Sequence, residues 1–77
     1  MPNKYFNWTF KDIESFLRVH SFTLNHIRGS HHYYIAIVSS KMRQVCVPKH
    51  GQVALKPRTM KGIIDQSGIS KEVWFNF

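Results

Sequence analysis

Two short interruptions constrain this chain more than any other feature. Gly29-Ser30 and Ser39-Ser40 break up a stretch from Phe22 to Val47 that is rich in β-branched and aromatic residues. Arg28-Gly29-Ser30 reads as a turn, bend or bulge, and Ser39-Ser40-Lys41 as a hairpin loop. They leave three pieces of strand length, residues 22–27, 31–39 and 42–47, and Pro48 closes the third. A parallel pair needs a crossover of about a dozen residues or more. The gaps here are far shorter, so the spacing predicts an antiparallel meander.

On both sides of the meander the apolar spacing changes to the helical period. Thr9-Phe10-Lys11-Asp12 has a hydroxyl at a cap position and a carboxylate three residues on, a capping box that starts a helix near Thr9. Ile13, Phe16, Leu17 and His20 then share one face, and Trp8 is placed to fold back as a hydrophobic staple. A loop over residues 49–55 leads to a second helix, where Pro57 suits the first turn and Thr59 is a competing cap. Its inward face is expected to be Met60, Ile63, Ile64 and Ser67. Gly62 costs about 1 kcal/mol against Ala in a helix, which suggests close packing there. Gly68 reads as the C-terminal cap, with Ile69 as its apolar partner. Ser70 then opens a short helical turn or an irregular tail, whose Val73, Trp74, Phe75 and Phe77 need a surface to cover. The economical packing is an α+β fold: a three-stranded antiparallel sheet with two helices on one face and the other face open. Without a linker or repeat, residues 1–77 are expected to form a single domain.

Seventy-seven residues exclude large catalytic scaffolds. A hydrophobic content of 43% separates the chain from a disordered basic tail. Eleven Lys and Arg against four Asp and Glu leave a net charge of +7, a field that attracts polyanions. Nucleic acid is the first candidate partner and an acidic protein the second. No apolar run approaches the ~20 residues that span a bilayer, and no long basic amphipathic helix suits a membrane surface. The N-terminus lacks a signal-peptide apolar stretch, and the single Cys46 forms no internal disulfide, so the expected location is cytoplasmic.

The four carboxylates, Asp12, Glu14, Asp65 and Glu72, form no cluster for two-metal or paired-acid chemistry. The five histidines match no standard zinc spacing, and adjacent strand residues such as His31 and His32 point to opposite faces. Neither metal nor cofactor is expected. Cys46, beside valines, reads as a small buried hydrophobe. A histidine alone suffices for RNA cleavage if cations surround the phosphate, because both of its protonation states exist near neutral pH. In the second strand, His31, Tyr33, Ile35 and Ile37 read as the core face, since Ile35 and Ile37 are larger than Ala36 and Val38. That reading places His32 on the open, RNA-accessible side. Arg28, Lys49, His50, Arg58 and Lys61 are then candidate phosphate contacts. Considered alone, such a histidine is more often a plain surface residue than a catalyst.

Three stretches in order tip this balance. They are Arg28-Gly29-Ser30-His31-His32, then Val47-Pro48-Lys49-His50-Gly51, then Thr59 to Ser70 with Met60-Lys61-Gly62-Ile63-Ile64-Asp65-Gln66-Ser67-Gly68 inside it. Over about residues 10–70 the chain resembles the HicA mRNA interferase toxins of bacterial and archaeal toxin–antitoxin pairs. The resemblance implies a fold like a double-stranded-RNA-binding domain, ordered α-β-β-β-α. It also implies metal-independent endoribonucleolytic cleavage of mRNA and silencing by a HicB-like antitoxin. The family's working histidine, in a Gly-Ser-x-His turn, falls on His32, because some members lack a histidine at the place of His31. His50 matches the histidine after the Val-Pro step, and Lys49 a position that is usually basic. Arg28, Ser30, His31, Lys49, His50, Arg58 and Lys61 are the expected RNA contacts, and an acidic antitoxin is expected to cover His32. The chain departs from the family at His20-Ser21-Phe22, where members often carry Gly before Phe, and at Gly62. The aromatic tail from Val73 lies outside the matched motifs. Two rival readings are a non-catalytic RNA-binding module of the same fold and a zinc mini-domain built on Cys46 and histidines.

Overall fold

The computed structural model describes residues 4–77. Its elements are α1 (Phe10–Val19), β1 (Thr23–Arg28), β2 (His31–Val38), β3 (Lys41–Pro48), α2 (Pro57–Ser67) and α3 (Lys71–Phe75). The α-β-β-β-α order expected from the spacing is present, with α3 as a short addition.

Helix α1 starts where the capping box puts it. Asp12 N donates to Thr9 Oγ1 at 3.3 Å, and Asp12 Oδ2 accepts from Thr9 N at 3.0 Å. Two backbone donors that a helix start leaves without partners are thereby satisfied. Phe10, Ile13, Phe16 and Leu17 are buried, and His20 ends the helix with its ring 4.2 Å from the centroid of Phe16.

The sheet is an antiparallel meander in the order β1-β2-β3. Gly29 has φ +59°, the left-handed value that a two-residue II′ loop asks of its first position. Ser39 and Ser40 have φ 51° and 68°, the I′ pattern usually supplied by Asn-Gly. Holding serines there costs about 1 kcal/mol or more per residue. That loop pairs Val38 with Lys41 and so sets the whole β2–β3 register. Gly29-Ser30 is thus a turn, one of the forms expected there, and a separate bulge lies between Leu24 and His26, where Asn25 is the extra residue.

The face assignment drawn for β2 is overturned. Tyr34 is fully buried, and Ala36 and Val38 pack against the core, while Ile37 is 68% exposed. The helices therefore cover His32, Tyr34, Ala36 and Val38, and the open face carries His31, Tyr33, Ile35 and Ile37. The physical reason lies in β3. Its register sets Val45 opposite Tyr34 and Val47 opposite His32, and both valines are fully buried. Burying such a side chain contributes about 1.5–3 kcal/mol. Two buried valines outweigh the small size of Ala36.

Lys56 is the N-cap of α2 and Pro57 its first residue, so Thr59 lies inside the helix. Met60, Ile63, Ile64 and Ser67 are all buried, as their spacing predicts. Gly62 is not a close-packing site, because a Cβ there would meet nothing within 4 Å. The close approach is at Gly68, where φ is +72° and a Cβ would lie 2.6 Å from Arg43 Nε. Gln66 Oε1 accepts from Cys46 N at 3.0 Å and so covers a donor on the β3 edge. Most of the aromatic tail becomes α3, and Trp74 enters the core, stacked on Phe16 at 3.6 Å and edge-on to Trp8 at 5.4 Å. Among the described residues no helix is long and apolar enough to cross a membrane.

Candidate functional site

His32 lies in a row that crosses the sheet, Ile27–His32–Val47, near the β1–β2 turn. Its ring points to the helix-covered side. Phe10, the first residue of α1, closes over it edge-to-face with ring centroids 4.9 Å apart. Lys49 Nζ stands 5.3 Å from the centroid of Phe10, within cation–π range. Lys49 N donates to Ser30 O at 2.7 Å, which pins the loop over residues 49–56 to the β1–β2 turn. The His32 ring is half-buried, and its Nδ1 is sealed from solvent with no hydrogen-bond partner. Leaving a buried polar atom unpaired costs about 1–3 kcal/mol. Nε2 is then the ring nitrogen left to meet a ligand.

Two residues along the same strand face, the Tyr34 hydroxyl donates to Glu14 Oε2 at 2.7 Å. Arg18 reaches the same oxygen at 3.4 Å. The Tyr34 hydroxyl holds the Glu14 carboxyl below the usual carboxylate value; partial burial opposes this, and Arg18 and then His32 add to the lowering. Burial first, and the carboxylate second, push the Tyr34 hydroxyl well above its ordinary value. The Glu14–Tyr34 bond thus anchors α1 to the centre of the sheet, beside the imidazole.

The expected contact residues divide into groups. Ser30 and Lys49 are tied to each other beside His32. Arg28 and His31 form an exposed pair at the same end of the sheet but on the open face. His50 is exposed and lines a separate hollow with Pro48, Leu55 and Thr59. Arg58 and Lys61 are exposed on α2, and among the described residues no hydrogen bond or ion pair joins them to the His32 group. Phe10, Glu14 and Tyr34 were not anticipated at this site. Phe10 carries a sequence signal, since it lies three residues before Ile13 on the same helical stripe.

Strands β1, β2 and β3 hold Arg, Lys and His but no carboxylate. Among the described residues no three His, Cys, Asp or Glu side chains are placed to hold a metal ion. The fold and this charge pattern define a small basic domain arranged like a double-stranded-RNA-binding domain. The family described as HicA toxin of bacterial toxin–antitoxin systems matches residues 10–69, a span that includes Phe10, His32, Lys49 and all of α2. The chain belongs to the HicA toxin family and is the toxin half of a toxin–antitoxin system. No curated relative and no solved structure matches it.

Proposed function

We propose that this HicA toxin is a metal-independent endoribonuclease that cuts mRNA with His32 as its catalytic residue, and that a HicB-like antitoxin silences it. The supporting observation is the setting of His32: a ring clamped by Phe10, one nitrogen sealed, and the Lys49 ammonium next to the clamp. In the reaction the 2′-oxygen attacks the neighbouring phosphorus and the bond to the 5′-oxygen breaks. One fragment ends in a 2′,3′-cyclic phosphate, which water opens to a 3′-phosphate, and the other begins with a 5′-hydroxyl. Nε2 of His32 moves a proton at one of these oxygens. The Lys49 ammonium stabilises charge gathering on the phosphate, with Arg28, Ser30 and His31 holding the strand nearby and His50, Arg58 and Lys61 extending the contact.

Because His32 faces the helices, RNA reaches it at the turn end of the sheet, past Phe10 and Lys49, rather than across the open face. An acidic antitoxin that covers this end would shield the imidazole and match the surrounding cations. The site of action is the cytoplasm, where mRNA is found.

The test is cleavage of RNA in EDTA by the wild-type protein and by His32→Ala. The variant is expected to lose about 10²–10⁴ in rate. Equal cleavage by both would remove His32 from the reaction. RNA left intact by the wild type, with a salt-sensitive gel shift, would make the protein a binding module only.

A further inference from the structure

Beside the His32 clamp, between the first turns of α1 and the loop over residues 49–52, lies a hollow of about 540 Å³. Phe10, Lys11, Asp12, Glu14, Lys49 and Gln52 line it. Sites for small ligands span about 300–1,000 Å³, so one nucleotide fits. Phe10 and Lys49 belong both to this hollow and to the cover over His32. A nucleotide seated here rests against Phe10, the ring that covers the imidazole, and against Lys49 beside it.

The wall chemistry is uneven. Lys11 and Lys49 supply positive charge, which suits a phosphate. Asp12 and Glu14 supply acceptors, and each has an oxygen to spare. Asp12 spends Oδ2 on the helix cap, and Glu14 spends Oε2 on Tyr34 and Arg18. Carboxylate oxygens accept but never donate. A base edge with an exocyclic amino group meets them with N–H donors, whereas uracil offers carbonyl oxygens on both sides of its single N–H. Cytosine and uracil make the contrast cleanest, because they share a ring and differ at C4, amino against carbonyl.

We propose that this hollow is a nucleobase subsite that takes the base next to the scissile phosphate and selects bases carrying an exocyclic amino group over uracil. It rests on the reading of the protein as an RNA-cleaving toxin, and it supplies that activity with a sequence preference.

The experiment titrates CMP and UMP separately into the wild-type protein and follows backbone amides by NMR. Neither probe contains a bond the enzyme cuts, so binding is read apart from cleavage. CMP is expected to bind about fivefold or more tightly than UMP, as one good base contact implies. The shifts should map to Phe10, Lys11, Gly51 and Gln52. Glu14→Gln keeps an acceptor for Tyr34 but adds a donor to the wall, and should bring the two affinities within about twofold. If that variant does not fold, Gln52→Ala on the exposed loop is the second probe and should weaken CMP binding at the same amides. Equal binding of CMP and UMP, shifts mapping elsewhere, or no saturable binding up to ~10 mM would overturn the subsite. Cleavage in EDTA without nucleotide selection sinks the subsite alone, and selection without cleavage sinks the ribonuclease reading alone.

Discussion

Ser67 and His32 are both polar groups set against the same core, and the structure treats them in opposite ways. Ser67 is completely buried, and its hydroxyl has three partners. It donates to Ile64 O at 2.7 Å and accepts from Ile69 N and Trp74 Nε1, each at 3.1 Å. This one oxygen joins the end of α2 to α3 and satisfies the indole that α3 buries. His32, at the turn end of the sheet, keeps a buried Nδ1 with no partner. A small domain has a net stability of only several kcal/mol, at about 0.05–0.15 kcal/mol per residue. Among the described residues Arg43 Nε, near Gly68, is also buried without a partner. The contrast is therefore between two groups rather than two ends: Ser67 is built to hold, and His32 tolerates an unmet bond beside an accessible hollow. Such cost is typical of places kept for function.

Between these groups stands Tyr34, whose bond to Glu14 gives the largest expected stability effect. Tyr34→Phe removes a hydrogen bond to a charged acceptor and should cost about 1.5–3 kcal/mol at neutral pH. The sign of the pH dependence follows from Glu14, whose folded value lies below its ordinary 4.5. A depressed carboxyl contributes stability that is fully present above the unfolded value and fades as pH falls through the folded one. The gap between wild type and Tyr34→Phe should therefore be widest above pH 4.5 and close on further acidification. Urea midpoints at neutral pH and near pH 3 measure this. A gap of constant size would mean that lost packing, not the carboxylate, carries the effect.

Next in size is the Ser67 group itself. Ser67→Ala leaves the Trp74 and Ile69 N–H groups without their acceptor inside the core, at a cost of about 1–3 kcal/mol. Unfolding followed by tryptophan fluorescence reports both the loss and the altered surroundings of Trp74. An unchanged midpoint would show that α3 holds by ring packing alone, through Phe16 and Trp8.

How much of this contrast the sequence makes legible depends on the range of the interaction. The helix boundaries are local: the Thr9–Asp12 box and Gly68 mark theirs in the sequence, while the start of α2 stays open between Pro57 and Thr59 until the structure settles it at Lys56. The buried stripe of α2 was readable in full from its spacing. The partner for Trp74 was not, because a serine seven residues upstream gives no hint that its hydroxyl will be satisfied three times over. The face of β2 is not legible from that strand alone. Once a two-residue loop at Ser39-Ser40 is taken as the turn, Val45 and Val47 fall opposite Tyr34 and His32, and β3 decides the side. At the candidate site the Gly-Ser-His-His turn is legible only in order with the Val-Pro-Lys-His step and the second-helix stretch. Its cover is not legible, since Phe10 and Glu14 come to His32 across more than fifteen residues of chain.

The smallest effect is expected at the proposed catalytic residue. His32→Ala takes away the edge-to-face contact with Phe10, which contributes about 0.5–1.5 kcal/mol beyond its area. It also takes away the unpaired Nδ1, a relief of similar size. The two nearly cancel and leave only the lost burial of a half-exposed ring, so the unfolding midpoint should move by about 1 kcal/mol equivalent or less. Calorimetry or urea unfolding of His32→Ala beside Ser67→Ala reads the difference directly. A loss at His32 as large as that at Ser67 would place both residues in the same structural role. A stable fold at His32→Ala that no longer cuts RNA would separate what holds this small domain together from what it is for.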